Sequence, residues 1–395
     1  MDQHRKTIGL YYSHYECYGH TSRVAAFTGM YKKKFPYGNF FFIQAGRPQP
    51  TAVLDHWGAV YTLSRPSSSR VNFKYQVVAD PFSADIRSRE CLRIIDREAP
   101  DTFITEYFPL GRGECRDELL PVLTALFRQK VSLLSIAGYP LLTGFKGRWR
   151  DLILKMYQRV LILCPEIEMD YIAGCYPAGS ARRSYREFFK KNKDKVVFTG
   201  YLVPEAPVIV PGRGRAGFAT RGRVRVAVMR GGGAYYPQII ATAIKASDLL
   251  GDGYEFVLVT GPSTSDSEWR MFQGLMNRKK LCNASLVRWT DRYDHLIAES
   301  DVCICPTPYH TSLSLMKHLK RAVLIPFEGY GGVMDFLEQP ARARLLTDHL
   351  RSEILPFKKL TASSLAGAVV RAVRKDMSGI NVPASWFGSV TDYLS

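Results

Sequence analysis

Short runs of consecutive apolar residues alternate along the chain with longer stretches whose apolar positions recur every three or four residues. "TIGLYYSH" (7–14) is the first such run, and after Gly19, His20 and Thr21 the segment "SRVAAFTGMYKKKF" takes up helical spacing. "GNFFFIQA" (38–45) reads as a second strand. In "ECLRIIDREAPDTFITEYF" (90–108) a helix leads to a strand that ends near Glu106, and "LLPVLTALFRQKVSLLSIAG" repeats the alternation. Strands that are apolar throughout, separated by amphipathic helices, predict a parallel sheet covered on both faces.

The pattern halts after "KVVFTGYLV" (195–203): residues 204–222 are rich in Pro, Gly and Arg and follow neither period, so they read as a linker. A second alternating series opens at "RVRVAVMRGGGAYYPQIIATAIKASDLL" (223–250) and runs through "YEFVLVTGP", "ASLVRWT", "DVCICPTP" and "AVLIPF". The expected organisation is α/β, with two Rossmann-like doubly wound domains, 1–203 and 223–380, facing each other across a cleft. Residues 381–395 are expected to return to the first domain. Right-handed crossovers put the ligand-holding loops at the carboxyl ends of the strands.

Composition narrows the partners. A chain of 395 residues that is 46% hydrophobic folds throughout, and a net charge of +18 calls for an anionic partner: nucleic acid, an acidic membrane leaflet or a phosphorylated small molecule. Eight scattered cysteines make no disulfide framework, and Cys303 and Cys305 alternate with Val302 and Ile304 as in a buried strand, which points to reduced thiols in the cytoplasm. The charged, then strand-like N-terminus is not read as a signal peptide. The longest apolar stretch (131–145) is broken by Gly138 and Pro140, so no membrane span is expected.

Gly212, Gly214 and Gly217 spell a dinucleotide fingerprint, but no helix opens behind them, and a dehydrogenase is rejected. Gly231, Gly232 and Gly233 have the better context, between a strand and a helix, where bare backbone lets amides approach phosphate oxygens, although tight turn packing explains them equally well. Thr260 with Gly261, and Thr311 with Ser312, stand at two further strand-end loops; helix capping alone accounts for the latter pair as readily as a ligand does. His20 precedes the first helix and Glu106 ends a strand; a carboxylate on one ring nitrogen would orient the imidazole for proton transfer. Glu338 and Gln339, just before Pro340, fit a helix start on dipole grounds.

Taken together, "YGHTSR" (18–23), "MRGGG" and "EQPARA" (338–343), in that order, resemble the GT-B glycosyltransferases, and more narrowly the predicted glycosyltransferases grouped in family 28 with the enzyme that adds N-acetylglucosamine to lipid I. "PDTFITEYFPLGRGECRDELLP" (100–121) is similar to a segment of the same group. The resemblance implies that His20 deprotonates the acceptor hydroxyl with Glu106 orienting it, and that Gly19, Thr21 and Arg112 lie on the acceptor side. It implies donor contacts at Arg230, Gly232, Gly233, Thr260 and Gly261, at Trp289 and Thr290 beside the base, at Tyr309, His310, Thr311 and Ser312, and at Glu338, Gln339 and Arg342 around sugar and diphosphate. Arg342 is either a structural tie or a charge near phosphate. Where that family carries a ribose-gripping Glu, "TPYHTSLS" here carries Ser314.

The implied reaction is inverting sugar transfer from a nucleotide diphosphate sugar, UDP-linked, to a hydroxyl acceptor such as a lipid-linked or other glycan. No Asp-x-Asp stretch and no His/Cys cluster calls for a metal, and no cofactor is expected. Hydrolysis or epimerisation of a nucleotide sugar on the same fold stays open, as does a basic binding protein that has lost catalysis. An anionic surface on the inner face of the membrane is a candidate partner; nucleic acid is not, for want of an aromatic and basic signature.

Overall fold

The computed structural model describes residues 6–14, 19–46, 52–64, 81–140, 142, 148–176, 178–202, 222–231, 236–290, 292–327, 337–388 and 390–393. The chain forms two compact units, Met1–Pro204 with Ser385–Ser395, and Glu205–Ala384. The linker, the discarded glycine fingerprint, Gly232 and Gly233 lie outside the described residues.

The first unit is built on seven parallel strands: β1 Thr7–His14, β2 Asn39–Gly46, β3 Gly58–Thr62, β4 Thr102–Glu106, β5 Ser132–Ala137, β6 Arg159–Ile162 and β7 Val196–Phe198, in the order β3-β2-β1-β4-β5-β6-β7. β1, an interior strand of this sheet, carries no polar face. Ile8, Leu10, Tyr11 and Tyr12 are all buried, and Gly9 is there for lack of room, since a Cβ would fall 2.4 Å from the Phe41 ring and 2.8 Å from that of Phe103. Between β3, which the hydrophobic pattern did not reveal, and β2 the backbones also approach closely at Gly58.

One buried polar knot crosses this core. Glu118 accepts from Tyr11 Oη (2.7 Å), from Arg87 Nε (2.7 Å) and from Arg87 Nη2 (3.2 Å), and both charged side chains are almost fully buried. The C-terminal residues close the unit. Tyr201 N donates to Trp386 O (2.6 Å) and Gly388 N to Tyr201 O (3.1 Å), while a Cβ at Gly388 would meet Thr199 O at 1.5 Å.

The second unit repeats the plan with six parallel strands: β8 Val224–Met229, β9 Tyr254–Val259, β10 Ala284–Val287, β11 Val302–Cys305, β12 Arg321–Leu324 and β13 Glu353–Ile354, ordered β10-β9-β8-β11-β12-β13. Its core gathers Val226, Val228, Phe256, Leu258 and Ile304 against the helices Pro237–Leu250 and Ala362–Arg374. Cys303 and Cys305 are buried free thiols on β11, as their alternation predicts. The helix Glu338–Leu350 begins at the expected acid, with Pro340 in its first turn. In each sheet the strand order reverses once, between β1 and β4 and between β8 and β11, and such reversals open crevices at the carboxyl ends of the strands. Among the described residues no helix is long and apolar enough to cross a membrane.

Removing one partner of the buried knot leaves an uncompensated charge. Glu118→Leu is therefore expected to destabilise the first unit by about 3–5 kcal/mol, measured as a lowered denaturant midpoint; an unchanged midpoint would show that Arg87 finds other solvation.

Candidate functional site

Each unit concentrates its chemistry at its own strand-order reversal. In the first, β1 is followed by the helix Gly19–Lys34, which carries His20 in its opening turn, and β4 ends in Glu106. The Glu106 side chain is fully buried and takes three contacts: His20 Nδ1 at 2.7 Å from Oε2 and 2.9 Å from Oε1, and the Arg23 guanidinium on Oε1. On the far side of the ring Arg112 Nη2 lies 2.7 Å from His20 Nε2, and Arg112 Nη1 donates to Glu114 (3.2 Å). Tyr107 packs edge-on to the imidazole with centroids 5.7 Å apart, and the Arg23 guanidinium lies over the same phenol ring at 5.0 Å.

These contacts fix the tautomer. A guanidinium has only hydrogens to give, so Nε2 accepts from Arg112; Nδ1 then carries the proton and donates it to Glu106. Burial lowers the His20 pKa, with the Arg112 and Arg23 cations acting in the same direction and Glu106 against them. Burial alone would raise the Glu106 pKa, but His20 and Arg23 outweigh it and bring the carboxyl down from the ordinary 4.5 to about 2. The pair at neutral pH is an ionised Glu106 and a neutral imidazole whose basic atom is Nε2.

The segment that supplies Arg112 bends through two left-handed residues, Tyr107 at φ 65° and Arg112 at φ 57°. Side chains with a Cβ adopt that region at a cost, and it is held here by Tyr107 N on Ile136 O (2.7 Å) and Gly111 N on Tyr107 O (2.7 Å). Arg23 and Tyr107 were not singled out from sequence. Arg23 was within reach, since it stands three residues after His20 on one helix and so shares its face. Gly19 opens the helix, and Thr21 Oγ1 is buried with no partner among the described residues.

The second unit is held by backbone. Gly231 (φ 85°) and Gly261 (φ 91°) leave β8 and β9, and a Cβ at Gly261 would sit 2.5 Å from Gly231 O, so only glycine lets the two loops touch. Arg230 is fully buried beneath them, donating to Glu268 (3.1 Å) and to Thr264 Oγ1 (3.2 Å). Thr260 N is engaged by Val287 O (3.0 Å), and Trp289 and Thr290 follow β10, with Trp289 54% exposed and Thr290 Oγ1 taking a bond from Arg292 N (3.0 Å).

After β11 the helix Tyr309–Lys317 begins, with Tyr309, Thr311 and Ser312 buried. Thr311 Oγ1 is bonded to Tyr293 Oη (2.7 Å), whereas Ser312 Oγ is buried with no partner among the described residues. His310 stands beside Tyr309 in the same turn, their rings nearly perpendicular.

Gln339 and Arg342 prove to be fasteners of this loop. Gln339 Oε1 accepts from Thr307 N (3.2 Å) and from Phe327 N (3.0 Å), and Thr307 Oγ1 donates to Gln339 O (2.7 Å). Two amide hydrogens converging on one atom require it to be the oxygen, which orients the Gln339 NH2 away from them. Arg342, 1% exposed, donates to Thr307 O (3.2 Å) and lies over the Tyr309 ring at 5.7 Å. Both contacts are those a structural tie would make. Glu338 starts the same helix, half-buried.

No protein-family model matches the chain, and no curated protein matches it by sequence. Solved structures do match. The glycotransferase of kitacinnamycin aligns over 98% of both chains with a TM-score of 0.64 at 12% identity. MurG of Acinetobacter baumannii aligns over 98% of both with a TM-score of 0.55 at 13% identity. A UDP-GlcNAc 2-epimerase from Neisseria meningitidis, bound to UDP-GlcNAc, covers 98% of this chain and 97% of its own with a TM-score of 0.58 at 11% identity. At such identities the likeness is one of fold: the protein has the α/β, two-domain GT-B fold that these structures share.

Two outcomes follow from the geometry. Because the folded Glu106 carboxyl titrates near 2 rather than 4.5, its contribution to stability is complete above pH 4.5 and is lost as pH falls towards 2. Glu106→Gln should thus be less stable than wild type at neutral pH, by about 3 kcal/mol, with the gap closing through that acid window in thermal melts; parallel curves would contradict the assignment. In the second unit, Gln339→Met should leave two amides without an acceptor at about 1–3 kcal/mol each, read by hydrogen exchange as roughly five- to hundredfold faster exchange at Thr307 and Phe327.

Proposed function

We propose that the protein is a glycosyltransferase moving a hexosyl or N-acetylhexosaminyl group from a UDP-linked sugar to an acceptor hydroxyl, with inversion and without a metal. The observation that carries this is the imidazole of His20, neutral, with its Nδ1 proton committed to a buried carboxylate and its Nε2 basic, in a chain of GT-B fold. In the step, the acceptor O–H bond breaks and its proton goes to Nε2. The oxygen's electron pair forms a bond to the anomeric carbon, and the bond to the nucleoside diphosphate breaks with its pair left on the diphosphate oxygen. Glu106 orients the ring and stabilises the imidazolium that results.

The departing diphosphate gains negative charge, and the second unit is suited to meet it: the start of the helix Tyr309–Lys317 lies at a strand-end loop beside Gly231, while the Gly261 amide is already spent on Arg288 O (2.9 Å) and serves to hold that loop. On this reading Trp289 and Thr290 flank the base, and the Gln339 NH2 with Glu338 meets sugar hydroxyls. Ser314, which cannot accept as a carboxylate does, weakens the hold on the ribose. The charge of +18 suits a protein working at an anionic membrane surface in the cytoplasm, on a lipid-linked or other glycan.

A second reading, epimerisation or hydrolysis of the nucleotide sugar, draws on the likeness to the UDP-GlcNAc 2-epimerase. Thermal-shift screening against UDP, GDP, CDP and dTDP sugars, followed by labelled donor with and without acceptors, separates the two. A free sugar or an epimer formed without acceptor favours the second. His20→Ala is expected to lower transfer by about 10²- to 10⁴-fold while leaving donor-induced stabilisation in place; full transfer activity in that variant would remove the base assignment.

A further inference from the structure

The atom that His20 must use is occupied. Arg112 Nη2 sits 2.7 Å from Nε2, on the only lone pair the neutral ring possesses. While that contact holds, no acceptor hydroxyl can give its proton to the ring. The contact is also incompatible with the next state: once Nε2 carries a proton, an imidazolium N–H and a guanidinium N–H face each other. Around the ring the formal charges of Arg23, Arg112, Glu106 and Glu114 cancel while His20 is neutral, and protonation leaves one unbalanced positive charge.

Relief has to come from a negative charge at Arg112, and access to it is uneven. Glu106 is 0% exposed and Arg23 5%, so neither can be reached by a ligand, whereas Arg112 is 23% exposed, Glu114 25% and His20 13%. A guanidinium fork pairs with the two oxygens of a carboxylate or phosphate in a way a hydroxyl cannot match. Arg112 has one bond to release on the ring side and one on Glu114.

We propose that Arg112 is a specificity-determining latch: the acceptor carries an anionic oxygen pair, a carboxylate or phosphate, near its reacting hydroxyl, and binding of that anion draws Arg112 off His20 Nε2 and frees the base. The inference rests on the reading of His20 as the base and adds the chemical class of the acceptor. It also explains why a cation stands where a proton acceptor is needed: without the anionic acceptor the base is masked, and water is a poor substitute because it brings no charge to move the latch.

The test observes the ring rather than turnover. In protein labelled with ¹⁵N-histidine, the Nδ1 and Nε2 resonances of His20, assigned by loss in His20→Gln, are followed while inorganic phosphate or acetate is titrated in. Wild type should show a saturable Nε2 shift with at least one anion, and the anion that acts tells phosphate from carboxylate recognition. Arg112→Gln should show the released Nε2 position without any anion, a His20 pKa above that of wild type because a nearby cation is gone, and no anion response. Arg112→Lys, which keeps the charge without the fork, should keep a weakened response. Carbethoxylation of His20 by diethyl pyrocarbonate, which needs an open ring nitrogen, should be faster in Arg112→Gln. The proposal is overturned if neither anion shifts His20, or if Arg112→Gln responds as wild type does. Failure of the base assignment has a separate signature: an intact anion response together with full transfer in His20→Ala.

Discussion

A carboxylate with no access to water must be satisfied inside the protein, and Glu106 dictates the first unit's chemistry for that reason. Burying an isolated carboxylate costs far more than a domain can sustain, so partners of opposite sign or with donating hydrogens are obligatory. Arg23 supplies the charge from one turn along the helix, and His20 supplies the N–H. Satisfying the acid therefore holds the imidazole in one orientation and one tautomer. The strand end and the helix start both serve that arrangement: shift either and the buried charge loses a partner. Positional accuracy at the ring is a by-product of the acid's own requirement.

The second unit solves a different problem by different means. On the proposed reading its loops meet a diphosphate, and such a loop works best when it does not reorganise as charge builds. Here the loops after β8 and β9 touch backbone to backbone through Gly231 and Gly261, and the loop after β11 is tied by both the side chain and the backbone carbonyl of Gln339 and by Arg342. Arg230 sits underneath with its charge answered by Glu268. Arg230 and Arg342, charged residues that a sequence invites one to send to phosphate, are each engaged within the unit.

That division explains what could be read in the sequence. Strand identity was legible because parallel strands buried on both faces leave continuous apolar runs such as "TIGLYYSH", and Cys303 and Cys305 announced β11 by alternation. The short edge strands β3 and β13 left no such trace, because an edge needs few apolar residues. His20 and Glu106 were legible as a pair because each stands at a strand's carboxyl end, where parallel sheets assemble sites. Arg112 could be assigned a side of the site but not a partner, since nothing local says that a side chain in a left-handed turn will reach a ring 92 positions away. The double use of Gln339 was illegible for the same reason: a carboxamide beside an acid at a helix start looks identical whether it faces a sugar or the backbone of Thr307.

The charge of the whole chain takes on a narrower meaning in this light. With +18 in excess, an anion is attracted to the protein broadly, and long-range attraction by itself cannot choose among anions. Choice requires a cation whose present partner is worse than the one a ligand offers. Arg23 and Arg230 fail that condition, each being buried on a carboxylate. Arg112 meets it on one side only, where its partner is an uncharged nitrogen lone pair. An anionic oxygen is the stronger acceptor there, and on the proposed reading exchanging one for the other also uncovers Nε2 for an incoming hydroxyl. Recognition and release of the base then become one event, which a uniformly basic surface could not achieve.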